Sequence, residues 1–235
     1  MVKKIAVLLI SVLISSCGGD DGNPSAPLVV LDTENIRTYV QGDSLEATYT
    51  ARYTSLGQSA TGNVTATIGG IVQNPFGIDC RLVIYSGTLT GSAGTIAYSV
   101  RSLFYQDSNS SLYDCGEFDE DLGRYVFLTD TASTPDGVFL ESKSPMKIGD
   151  STSGVLYFDD GTWEDCTETV VAIETVNIPL GKFESYKKNQ SCSYSDGDVL
   201  ESTIWTVPSI FDIKESGVIN DIVLELEVIS YAFVE

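Results

Sequence analysis

The sequence predicts an all-β protein: a mainly antiparallel curved sheet, built as a sandwich or an incomplete barrel. Three observations carry this. Apolar and polar residues alternate with period two through segment after segment, clusters rich in Gly, Asp, Ser and Pro separate those segments at close intervals, and beyond residue 17 no stretch holds a 3.6-residue period for three turns. Parallel neighbours need long crossovers, usually helical, and the pattern supplies none, so successive strands must pair as antiparallel hairpins.

The chain begins with a short basic head, Lys3 and Lys4, followed by the apolar run Ile5 to Ile14. Ten apolar residues are too few for a permanent membrane span but suit the core of an export signal. The run closes with Ile14-Ser15-Ser16-Cys17, which resembles the lipobox of bacterial lipoproteins. The resemblance implies cleavage before Cys17, a diacylglyceryl thioether on the Cys17 sulfur and a further acyl chain on its new amino group. Each buried methylene of such chains contributes about 0.8 kcal/mol, so two or three chains hold a protein on a membrane lastingly. In Gram-negative lipoproteins an aspartate after the lipidated cysteine favours inner-membrane retention. Here that residue is Gly18, so the resemblance implies the outer membrane. Asp20 and Asp21, close behind Cys17, leave both the periplasmic side and the cell surface open.

Residues 1–16 are thus expected to be a cleaved signal peptide, and 17–30 a lipidated cysteine with a flexible tether, poor in apolar residues and rich in Gly, Asp, Pro and Ser. Residues 31–235 are expected to form one β-rich domain. Gly42-Asp43-Ser44 and Gly149-Asp150-Ser151 each open a series of strands, which allows two related halves meeting near residue 145.

Within the domain, Leu45, Ala47, Tyr49, Ala51 and Tyr53 alternate with Glu46, Thr48, Thr50 and Arg52, as in a half-buried strand. Val64, Ala66 and Ile68 repeat the pattern, as do Ile96, Tyr98 and Val100, and later Ile222, Leu224, Leu226 and Val228. Tyr49, Tyr53, Tyr98 and Phe104 read as inward-facing. Shorter runs, Arg81 to Tyr85, Tyr125 to Leu128, Val155 to Phe158 and Ile204 to Val207, read as more fully buried strands.

Glu174-Thr-Val-Asn-Ile-Pro-Leu-Gly-Lys-Phe-Glu-Ser-Tyr-Lys187 is similar to the "ETVxVPAGxFExYK" hairpin of uncharacterised bacterial envelope proteins and lipoproteins, over about residues 149 to 231. Leu180 replaces the usual alanine, and Pro208 to Asp212 departs from the usual turn. The resemblance implies a β fold and carries no chemistry.

The cleaved chain of 219 residues keeps 11 of the 13 basic residues against 33 acidic ones, because Lys3 and Lys4 leave with the signal. A balance of −22 repels nucleic acid and anionic lipid. There is no histidine, which excludes Ser-His-acid triads, Cys-His pairs and HExxH or mixed Cys/His zinc sites. Apart from Cys17 the cysteines are Cys80, Cys115, Cys166 and Cys192, an even number without CxxC spacing, as expected of two disulfides in an oxidising compartment. A hairpin turning near residue 180 sets Cys166 opposite a position close to 194. Cys192 lies two residues from there with the same facing, so one bulge or the slack of a long ribbon would pair Cys166 with Cys192, and by elimination Cys80 with Cys115.

The acidic groups Glu117, Asp119, Glu120 and Asp121, and Asp159, Asp160, Glu164 and Asp165, lack calcium-loop spacing and read as solvated loop charge. Read as an EF-hand loop starting at Asp107, the chain has Leu112 where Gly is needed and Phe118 where Glu is needed. No catalytic residue, metal ligand or cofactor site is predicted. The expected function is a non-enzymatic envelope lipoprotein. Its partners would be the membrane, through the acyl chains on Cys17, and an envelope protein or glycan. A carrier for an apolar ligand, held in a cavity of the curved sheet, is the alternative. A filled interior favours the first, an open apolar cavity the second.

Overall fold

A computed structural model describes residues 28–30, 35–54, 56–92 and 94–234. The signal segment, Cys17 and the tether as far as residue 27 lie outside the described residues. Fourteen strands form one sheet: β1 (Leu28–Val29), β2 (Ser44–Tyr53), β3 (Gln58–Gln73), β4 (Asp79–Gly91), β5 (Gly94–Gln106), β6 (Leu112–Asp119), β7 (Arg124–Phe127), β8 (Phe139–Ser142), β9 (Ser151–Tyr157), β10 (Trp163–Ile178), β11 (Gly181–Tyr194), β12 (Val199–Val207), β13 (Phe211–Ile219) and β14 (Ile222–Ala232). Among the described residues the sole helical element is one 3-10 turn, Pro135–Gly137.

The hydrogen-bonded path runs β7-β6-β5-β4-β3-β2-β14-β13-β12-β11-β10-β9, with β8 beside β6 and β1 beside β11. The chain therefore makes two six-stranded meanders, β2 to β7 and β9 to β14. They join along β2 and β14, from Ser44 opposite Ala232 to Tyr53 opposite Ile222. The outer edges meet at one bridge, Leu128 with Phe158. There the Thr129 amide donates to the Tyr157 carbonyl at 2.8 Å, and the Asp159 amide to the Phe127 carbonyl at 3.0 Å. Of the architectures expected, the chain forms the incomplete barrel, with a seam between β7/β8 and β9. β1 is the one parallel partner; it falls inside the segment expected to be tether.

The two Gly-Asp turns make the same contacts in each meander. The Gly42 amide donates to the Ile68 carbonyl and the Ile68 amide to the Asp43 carbonyl; Gly149 and Asp150 repeat this with Val170. Asp43 and Asp150 each also accept a bond from the amide three residues earlier, at Val40 and Lys147. Just beyond the receiving residue each second strand bulges, between Ile68 and Ile71 in β3 and between Val170 and Ala172 in β10.

Hairpin turns fall alternately at two ends. The entry end holds the incoming segment 35–43, where the Arg37 amide bonds the Pro208 carbonyl, together with the β3–β4, β5–β6, β10–β11 and β12–β13 turns and the residues after β14. The far end holds the β2–β3, β6–β7, β9–β10, β11–β12 and β13–β14 turns. Arg124 pairs there with Asp159 at 2.9 Å, and Asn220 donates to Asp198 at 2.7 Å.

Inward-facing residues pack one core. Leu45, Ala47, Tyr49 and Ala51 of β2 meet Val64, Ala66 and Ile68 of β3 and Leu224, Leu226 and Val228 of β14. Ile36 and Tyr39 of the incoming segment, with Met146, join the same core. Each fully buried side chain of this size contributes roughly 1.5 to 3 kcal/mol. Two readings need correction. Val155 to Phe158 is not fully buried, because β9 is an edge strand: Leu156 and Phe158 are buried, while Tyr157 is 48% exposed; Arg81 to Tyr85 and Tyr125 to Leu128 likewise alternate, with only Val83, Tyr85, Val126 and Leu128 buried. Ile96 is exposed, because residues 94–97 at the tip of the β4–β5 hairpin all lie outside the packed interior.

Candidate functional site

The four domain cysteines form two bridges. Cys166 faces Cys192 directly across β10 and β11, with Cα atoms 4.2 Å apart. The turn spans two residues, Ile178 facing Gly181, and the extra residue Val171 then shifts the register by one. That shift sets 166 against 192. Cys80 bonds Cys115 over a Cα separation of 6.5 Å and packs with Leu103 and Val138.

Beside the Cys166–Cys192 bridge, next to the seam, lies a chamber of about 70 Å³. Its walls come from β5, β6, β8, β9, β10 and β11, and they mix apolar side chains such as Phe139, Leu156 and Phe158 with ionisable ones, which a barrel interior ordinarily lacks. Asp114 and Glu117 project from β6, Glu141 from β8, Glu164 and Glu168 from β10, and Lys188 from β11. Alternation explains the placement, since Glu164, Cys166 and Glu168 share one face of β10, as Lys188, Gln190, Cys192 and Tyr194 share one face of β11.

Lys188 is 2% exposed, and its ammonium lies 3.1 Å from Glu168 and 3.4 Å from Asp212, itself fully buried on β13. Burial disfavours the Lys188 charge, but Asp212 and Glu168 outweigh it and raise its pKa above the ordinary lysine value. Thr206 donates to the same Asp212 carboxylate.

Burial pushes Asp212 itself up to about 7, although Lys188 and the Thr206 hydroxyl act against it, and four further carboxyls are held towards their neutral form. Burial, reinforced by Asp114 and Glu117, pushes Glu164 up to about 8. Burial and the neighbouring Asp212 push Glu215 on β13 up to about 8. Burial raises Asp114 to about 6 although the Gly116 and Cys115 amides bond it. Glu141 is raised well above its usual value by burial and by Asp114. Asp114, Glu141 and Glu164 lie deep in the protein yet remain half-buried, because they face the chamber. Ser102 of β5 also lines the chamber; it is 6% exposed, and its hydroxyl has no hydrogen-bond partner.

A second space of about 140 Å³ adjoins the chamber at the far end and shares Glu117, Phe158, Glu164 and Tyr194 with it. Trp163 and Ile219 give this mouth apolar wall, and Asp196 and Asp198 lie at its rim.

The acidic groups noticed in the sequence therefore divide. Asp119 accepts bonds from the Asp121 and Leu122 amides, and Asp160 from Thr162, so these hold their own turns. Glu117 and Glu164 are not solvated loop charge: strand parity turns them into the chamber. Asp114, Glu141, Glu168, Lys188, Asp212 and Glu215 went unnoticed in the sequence. The available signal was an ionisable residue at an inward position, as Glu215 is between the buried Ile213 and Ile219. Among the described residues no three Cys, Asp or Glu side chains come together as metal ligands would.

No protein-family model matches the sequence, and no curated protein matches it. Among solved structures, a protein from Bacteroides fragilis described as exported, with a YmcC-like fold, is 14% identical over 84% of this chain and 98% of its own, at a TM-score of 0.44. A protein from Parabacteroides distasonis described as a lipoprotein is 11% identical over 85% of this chain and 99% of its own, at a TM-score of 0.42.

Proposed function

We propose that the chain is a bacterial lipoprotein held in the outer membrane by acyl chains on Cys17, carrying a single non-catalytic β domain that binds a partner of the cell envelope. One observation carries the reading: both bridges are formed, so every cysteine but Cys17 is engaged. Two disulfides suit an oxidising compartment outside the cytoplasm, and the fifth cysteine, Cys17, closes the lipobox-like stretch. The domain has a packed core and a recess beside the seam, which suits binding; without histidine it lacks the usual base for nucleophilic catalysis.

The apolar-carrier reading needs a greasy cavity of roughly 300 Å³ or more. The chamber is about 70 Å³ and acidic, which gives that reading no support.

Labelling cells with a radioactive or alkyne-bearing fatty acid tests the anchor. Label should enter the parent protein, and Cys17→Ser should abolish labelling and release the protein from the outer-membrane fraction. Equal label in the serine variant would end the proposal. Protease added to intact cells then separates the surface from the periplasmic side.

A further inference from the structure

We infer that the end at which the chain enters the barrel is itself a lipid-docking surface, which rests on the headgroup layer of the bilayer that holds the Cys17 acyl chains. The inference deepens the lipoprotein reading and rests on it.

The place where the chain emerges comes first. Leu28, the first described residue, pairs with Lys182 beside the β10–β11 turn, and ten residues separate it from Cys17. A tether of that length spans at most about 30 Å, so this corner is the part of the domain held closest to the lipid. At the high local concentration that a short tether sets, a contact too weak to hold a free protein suffices.

The same corner exposes apolar side chains. β9 leaves β10 after Thr169, and beyond it Val171, Ile173, Thr175 and Asn177 are exposed while Val176 and Ile178 are buried. The β10–β11 ribbon thus keeps one face in the core and shows Val171 and Ile173 on the other. The β8–β9 connection lies alongside, because the Gly149 amide bonds the Val170 carbonyl, which brings Ile148 close to Val171. Leu28 and Val30 are exposed on the β11 side of the ribbon.

Charge decides what this surface fits. Lys143, Lys147 and Lys182 are exposed here, and Asp150 and Glu174 are paired, Asp150 with Lys143 at 4.0 Å and Glu174 with Lys187 at 3.4 Å. The far end also exposes apolar side chains, Leu122 among them, but sets them among Glu120, Asp121, Asp159, Asp160, Asp196 and Asp198 in its turns. The acidic turns thus gather at the end away from the anchor. Lysines beside exposed aliphatic groups suit a bilayer interface: the aliphatic groups enter the boundary between headgroups and acyl chains, and the ammonium groups meet lipid phosphate. Acids around Leu122 oppose such a contact.

The lipidated protein, reconstituted in vesicles of phosphatidylethanolamine and phosphatidylglycerol, tests this. Bromine on the upper acyl carbons serves as a short-range quencher of tryptophan, and flotation on a density gradient reads the anchor. Ile148→Trp, Ile173→Trp and Leu122→Trp are each read against the parent, which carries Trp163 and Trp205. Ile148 is 58% exposed and Leu122 53%, so a difference between them reports lipid and not accessibility. The added emission of Ile148→Trp or Ile173→Trp should fall about twofold or more in brominated vesicles, and that of Leu122→Trp should stay unchanged. Lys147→Glu with Lys182→Glu, placed in the Ile148→Trp chain, should return most of the lost emission while the protein still floats.

A chain that fails to float overturns the anchor and the docking together. A chain that floats with both entry-end variants unquenched, with Leu122→Trp quenched equally, or with quenching unmoved by the charge reversal, overturns the docking alone. A blue shift that follows protein concentration without lipid marks a second copy as the occupant and likewise overturns it.

Discussion

Raising the pH from 5.5 to 7.5 should destabilise this protein, the reverse of the usual loss towards acid. The carboxyls that contribute most are Glu215, 4% exposed, and Glu164, both pushed from the ordinary 4.5 up to about 8 when folded; Asp212, Asp114 and Glu141 are raised as well and act in the same direction. A group whose folded pKa lies above its unfolded one contributes stability that is complete below the unfolded value and is lost as pH rises through the folded value. Between about pH 5.5 and 7.5 the native state holds these protons and the unfolded chain does not. Each such proton costs about 1.4 kcal/mol of stability per pH unit. Glu215 gives the full slope; Glu164 gives less in proportion to the chamber water that reaches it. The slope from these two is therefore about 1.4 to 2.7 kcal/mol per pH unit, to which the other raised carboxyls add. For a domain of this size that is roughly 3 to 11 °C in Tm per unit. The assay is thermal unfolding by circular dichroism at several pH values at fixed ionic strength, for the parent and for Glu215→Gln and Glu164→Gln. Glu215→Gln should remove about 1.4 kcal/mol per pH unit of the slope. A flat or rising Tm across the window, or a slope unchanged in both variants, would refute the assignment of buried neutral carboxyls.

Three further outcomes are expected. Lys188→Met leaves Asp212 buried without its cation and should cost about 3 to 5 kcal/mol, while Lys188→Met with Asp212→Leu should recover most of it, both read by urea unfolding. Replacing Cys166 and Cys192 together by serine opens a bridge that spans 26 residues in sequence; the chain-entropy model puts the loss at about 3.5 kcal/mol, or roughly 7 to 14 °C in a non-reducing melt. Gly116 has φ 132°, and a Cβ there would stand 2.2 Å from the Val126 carbonyl oxygen, so Gly116→Ala should lower Tm clearly while Gly123→Ala, at a turn with open space around it, should cost less.

The strands were legible because their signal is local. Leu45 to Tyr53 alternates in the sequence and alternates in burial along β2. The Cys166–Cys192 register was nearly legible for the same reason, since a two-residue turn at Pro179-Leu180 fixes the ribbon and only the position of the bulge was missing. The chamber was not legible. Its carboxyls come from β6, β8 and β10, which become neighbours only when the two meanders curl and their edges meet at Leu128 and Phe158. Nothing within a few residues of Asp114 or Glu141 reports that closure. Glu117 and Glu164 sit among turn aspartates in the sequence, so the surrounding charge disguised their inward facing.

The separation of the two ends sets a direction. The chain enters the barrel beside Gly42 and leaves beside Ala232 at one end, and the Trp163 mouth opens at the other, some ten residues away along β2, or about 30 Å. Anchored through Cys17, the domain would stand with its opening turned from the bilayer. A tether of ten residues would add at most about 30 Å more, setting an upper bound on the order of 60 Å for the height of the mouth above the lipid. The anchor then acts as a leash and not as a gate. On that proposal it would confine the domain to a thin layer over the membrane, where the recess would meet whatever diffuses in from the aqueous side.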